Sequence, residues 1–74
     1  MPRFIGHARS QMAVRGISIN DIEAVLANHH TEYPSAHGKG RKVYVGEVDG
    51  RDVAVVAAPD AIAGTAVITA WCPE

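Results

Sequence analysis

Apolar positions follow two different rhythms along this chain, and the change comes near residue 31. Before it, Ile19, Ile22, Val25 and Leu26 form one stripe on a helical period. The stretch "GISINDIEAVL" carries start signals of its own. Ser18 suits a helix N-cap, and Asp21 three residues later is a shorter version of the capping-box acid. Ile17 and Ile22 occupy the two positions of a hydrophobic staple, and Gly16 suits the left-handed position that ends a preceding helix. Residues 6–15 and 19–29 are therefore predicted as two helices joined by a tight turn.

After the histidine pair the rhythm becomes that of strands. "TEYPSAHGKGRK" holds Pro34, Gly38 and Gly40, and reads as a short extended piece followed by a loop. "KVYVGEV" and "RDVAVVAA" then flank Asp49-Gly50, a preferred dipeptide for a two-residue type I′ hairpin turn. "PDAIAG" is a connection, and "TAVITAW" a third β-branched run. A two-residue turn sets Glu47 opposite Asp52, a like-charge pair that costs roughly a few tenths of a kcal/mol. A bulge or a water-exposed edge is expected to relieve it. The pattern predicts one α+β domain over residues 1–74: two N-terminal helices packed on a three- to four-stranded antiparallel sheet.

Composition limits how well such a domain stabilises itself. Of its 74 residues 47% are hydrophobic, but many of these are alanine and valine, and the aromatic residues are Phe4, Tyr33, Tyr44 and Trp71. Small side chains bury little area each, at roughly 25 cal/mol per Å², so a homodimer that covers exposed apolar surface is one expectation. The single cysteine, Cys72, excludes an intrachain disulfide and a cysteine-based zinc motif. No signal-peptide pattern opens the sequence, and no apolar run approaches the ~18 residues of a membrane span. A soluble, cytoplasmic protein of bacterial type, with no membrane partner, is expected.

Net charge is −1, yet it is unevenly spread. Residues 1–46 hold six Lys or Arg against three acids, and residues 47–74 hold Arg51 against five. This asymmetry allows a local basic patch.

"HARSQMAVRGIS", the acid-and-aliphatic helix after it, "GRKVYVGEVDGRDVAVV" and "VIT" together resemble a small, mostly uncharacterised bacterial domain family, a domain of unknown function, similar to the RelE/ParE and BrnT-like toxins. His7, Met12, Arg15, Gly16 and Ile17 match its opening motif. Arg41 and Gly46 match the start of a strand, and Arg51 the residue after the hairpin turn. Gln11 departs from it, standing where the family usually has an arginine. The resemblance implies a RelE/ParE toxin-like fold of two helices on a curved sheet, and a toxin-like domain that engages RNA or the translation machinery. Some of these toxins are metal-independent ribonucleases, and an antitoxin is then an expected partner.

Cleavage of RNA without a metal needs a proton acceptor for the 2′-hydroxyl and cations for the charged phosphorane. On a helix His7, Gln11 and Val14 lie close in azimuth with Arg15 beside them. His7, Arg15 and Arg41 are thus the catalytic candidates, with Gln11, Lys39, Lys42 and Tyr44 as binding residues. In the competing reading His7 and Arg15 bond to backbone at the core edge. The loop "HGKGRK" allows phosphate binding by amides and cations, and a solvated linker equally. His29, His30 and His37 invite a metal reading, but adjacent histidines cannot both face one ion on regular backbone, and the helix dipole explains histidines at a helix end. No metal and no cofactor are expected. Trp71 reads as core or dimer contact, although it suits stacking on a base, and Cys72 as a buried small hydrophobe. The alternative to the RNA reading is a non-catalytic module that binds an antitoxin or a second copy of itself.

Overall fold

A computed structural model describes residues 2–36, 38 and 40–73. In chain order the elements are β1 (Arg3–Phe4), α1 (Ala8–Arg15), α2 (Ile19–Ala27), β2 (Thr31–Pro34), β3 (Lys42–Val48), β4 (Arg51–Asp60) and β5 (Gly64–Trp71). The strands form one mixed sheet in the order β1-β5-β4-β3-β2. This corrects the expected fold of two N-terminal helices on a three- to four-stranded antiparallel sheet. A strand precedes the helices, the sheet has five strands, and β1 runs parallel to β5 through Arg3↔Ala66 and Phe4↔Val67. Two residues carry no alternation, so β1 leaves no pattern in the sequence.

The helical hairpin forms for local reasons. Gly16 sits at φ 68°, and its neighbour Ile17 donates its amide to the Met12 carbonyl at 2.9 Å, which ends α1 in a left-handed turn. Ser18 Oγ accepts from the Asp21 amide and Asp21 Oδ2 accepts from the Ser18 amide, both at 3.0 Å. Ile17 and Ile22 are both buried in the core beneath this reciprocal cap. Both helices are shorter than predicted. Gly6, at φ 58°, turns the chain so that α1 starts at Ala8, and α2 ends at Ala27 with Asn28 as its cap.

The Asp49-Gly50 turn has both residues at positive φ, 53° and 80°, and joins β3 to β4 in strict register. Glu47 does face Asp52, and no bulge intervenes. Both are exposed, so water screens the like-charge pair, and His30 Nε2 lies 3.2 Å from Asp52 Oδ1.

The bulge falls elsewhere. Val56 pairs with Thr69 but Ala57 pairs with Val67, leaving Ile68 as an extra residue in β5. The sheet buries apolar groups on both faces. On one, Val53, Val55, Ala57, Val67 and Ala70 meet Ala8, Met12, Ile17, Ile22 and Val25 of the helical hairpin. On the other, Val43, Val45, Ala54 and Val56 cluster with Ile68 and Trp71, and no helix residue joins them. This second face is open.

Candidate functional site

Register builds the open face row by row. Tyr33, Val43, Val56 and Thr69 are successive partners across β2, β3, β4 and β5. Thr31, Val45, Ala54 and Trp71 form the next row. The first row, with Trp71 from the second, floors and walls a concave pocket of about 540 Å³. Ser35, Ala36 and Arg41 form its lip, and the bulged Ile68 its far side. Strict alternation would turn Val67 to the same side as Thr69 and Trp71; the bulge sends Val67 to the helix-side core and leaves Thr69 and Trp71 on the open face. The extra residue adds Ile68 to them.

A second hollow of about 350 Å³ lies against α1, lined by Ile5, Gly6, His7, Gln11, Ile68 and Thr69. Ile68 and Thr69 therefore belong to both concavities. His7 is the N-cap residue of α1, exposed, and its side chain makes no capping bond. Thr69 Oγ1 donates to Gln11 Oε1 and accepts from Arg15 Nη1 at 3.3 Å. Arg15 Nη1 also donates to the Ala70 carbonyl at 2.8 Å. Alongside β5, α1 thus lays His7, Gln11 and Arg15 in file.

The predicted site residues separate into three groups. Gln11 and Arg15 meet at Thr69, His7 shares the second hollow with Gln11 and Thr69, and Arg41 shares the first with Thr69. Lys42 and Tyr44 alternate onto the helix-bearing face, where Tyr44 packs against the main core. There Lys42 Nζ donates to Glu32 Oε2 at 2.9 Å, and His29 Nε2 lies 3.1 Å from Glu32 Oε1. The Lys42 ammonium, with His29, holds the Glu32 carboxyl below its ordinary value, and Glu32 raises Lys42 in turn. Lys39 and His37 lie outside the described residues.

The histidines do not play the part expected of a helix end, because α2 stops before them. His30 donates its amide to the Val45 carbonyl at 2.9 Å, and its ring bridges Thr31 and Asp52. The His29 ring meets Tyr44 edge-on at 4.8 Å, and its Nδ1 is buried without a hydrogen-bond partner. Among the described residues no cluster of three or more His, Cys, Asp or Glu is placed to hold a metal.

Folding pairs some charges across the two halves of the sequence. Arg3 pairs with Asp60 at 2.8 Å, and Arg51 donates to the Gly16 carbonyl at 2.8 Å and reaches Asp21 at 3.4 Å. Arg9 stacks its guanidinium 5.4 Å from the Phe4 ring centre. Sequence reasoning left Tyr33, Ser35, Thr69 and the bulge at Ile68 out of the site. Their common face depends on register across four strands, which no local pattern encodes.

This chain belongs to the family described as a domain of unknown function, DUF4258, which it matches over residues 4–71. No curated protein and no solved structure matches it. No helix among the described residues is long and apolar enough to cross a membrane.

Proposed function

We propose that this DUF4258 protein is a toxin-like domain that engages single-stranded RNA along the open face of its sheet. One observation carries the reading: Ile68 and Thr69 line both hollows, so the hollow that holds Arg41 and the one that holds His7 adjoin along β5. Aromatic, hydroxyl and cationic side chains line them together, which is the combination that single-stranded nucleic acid requires.

If the domain also cleaves RNA, His7 is the group to take the 2′-hydroxyl proton. The 2′-oxygen then attacks the adjacent phosphorus, the bond to the 5′-oxygen breaks, and water protonates the departing oxygen. Arg41 would stabilise the added charge on the phosphorus oxygens. Arg15 has one nitrogen committed to Ala70 and Thr69, so its remaining N–H groups would contribute. Incubation of the protein with total RNA in EDTA, beside His7→Ala and Arg41→Ala, tests this. Cleavage that persists in EDTA and is lost in His7→Ala supports a metal-independent ribonuclease. RNA binding without cleavage, weakened in Arg41→Ala, supports engagement alone.

A second reading, a non-catalytic module for an antitoxin or a second copy, draws on a different observation. Arg3, Arg15, Lys42 and Arg51 all have partners within the chain, while every residue of β2, an edge strand, is exposed. A stable dimer in gel filtration, with no RNA bound, favours it.

A further inference from the structure

We propose that the open-face pocket is a nucleobase site, in which an unpaired base lies against Trp71 and Tyr33 and Arg41 takes the phosphate attached to it. The inference rests on the RNA reading above and names the subsite within it. Its volume, about 540 Å³, falls in the range of about 300–1,000 Å³ that small-ligand sites occupy. That is ample for one base with its sugar and phosphate.

The lining is specific to this chemistry. Phe4, Tyr33, Tyr44 and Trp71 are the chain's aromatic residues, and two of them line this pocket. Valine and isoleucine between them give a dry floor that accepts the flat face of a base but offers a hydrated ligand no hydrogen bonds. Polar groups occur at the margins, where a base has its edges: Ser35 carries a hydroxyl, and Thr69 Oγ1, which donates to Gln11 and accepts from Arg15, keeps one further lone pair to accept with. Such groups tolerate any of the four bases. Among the described residues that line the pocket, Arg41 is the charged one, and one cation suits one phosphate. A purely aliphatic partner has no use for it. A base inside a duplex has both faces stacked and its edge paired, so only an unpaired base fits.

Trp71 is the protein's single tryptophan, so intrinsic fluorescence reports on the pocket directly. The test is titration with AMP, GMP, CMP, UMP and adenosine, alongside a labelled single-stranded RNA. We expect saturable quenching by all four nucleotides, with AMP bound about tenfold more tightly than adenosine. Arg41→Ala should erase that difference, and Arg41→Lys restore part of it. Tyr33→Ala should weaken AMP and adenosine alike. Far-UV circular dichroism of each variant separates lost binding from lost folding. If RNA binds but no nucleotide quenches, the base site is overturned and the RNA reading stands. Equal binding of AMP and adenosine in the unmodified protein overturns the phosphate contact and the proposal with it. If neither nucleotides nor RNA bind, both readings fall.

Discussion

The Arg15 guanidinium donates to the Ala70 carbonyl at 2.8 Å, across 55 residues of sequence. It closes a stretch of β5 that β1 does not reach, because β1 pairs with β5 only at Ala66 and Val67. A helix side chain thereby replaces a missing strand. Removing it should leave the carbonyl of a buried residue without this donor. Arg15→Ala is expected to lower unfolding stability by about 1–2 kcal/mol, read as a fall in the denaturation midpoint at unchanged slope. An Arg15→Ala protein as stable as the original would show that this edge needs no cover.

The reciprocal cap at Ser18 and Asp21 should be worth about 1 kcal/mol. Ser18→Ala is expected to lose that amount, and Ser18→Gly only a few tenths on the same ~1 kcal/mol scale. Thermal melts of the two variants provide the comparison.

Gly46 lies under the end of α2, where an added Cβ would meet the Asn28 carbonyl oxygen at 3.1 Å and the Val25 Cα at 3.4 Å. Backbone surrounds the site and yields little. Gly46→Ala should push α2 outward and cost about 1–3 kcal/mol, whereas Gly50→Asn, in the left-handed hairpin turn, should cost far less. Urea titration of both variants checks the contrast.

Acid should weaken the fold through two carboxylates. The Ala63 amide, with Arg3 and the Ile62 amide, holds Asp60 below its ordinary value of 3.8, and Lys42 with His29 holds Glu32 below 4.5. Because both folded values are depressed, their stabilisation is complete above the unfolded values and is lost as pH falls through the folded ones. Asp60→Asn should therefore flatten the stability–pH curve below about pH 4. Arg3→Ala should flatten it less, since the Ala63 amide is the larger cause. Lys42 is shifted upward, so its contribution is present below its ordinary value of 10.5 and fades as pH rises through the higher folded one.

The elements legible in the sequence are those whose causes are local. Gly16, Ser18, Asp21 and the Asp49-Gly50 turn each act within four residues, and each sits where its chemistry places it. What escaped detection is non-local. β1 exists only because β5 lies beside it, and the open-face pocket only because register aligns Tyr33, Val43, Val56 and Thr69. Lys42 and Tyr44 show the same limit. Proximity in sequence to Arg41 suggested a shared site, but strand alternation puts them on the opposite face of the sheet from its pocket. Gln11 and Arg15 were identifiable as neighbours because helical spacing alone aligns them; their common partner, Thr69, was not.

The parallel pairing of β1 with β5 also bears on timing. α2 packs on β3 and β4, its near neighbours in the chain, whereas β1 and α1 find their main surfaces on β5. A ribosome releases the first residues long before the last strand exists. β1 and α1 are therefore expected to wait, undocked, while α2 and the central hairpin gather, and to settle only when Thr69 and Ala70 arrive. Any function of the hollows that hold His7 and Arg41 then begins with the arrival of β5. A nascent fragment that stops short of β5 would carry His7 and Arg41 but lack the strand that joins their two hollows.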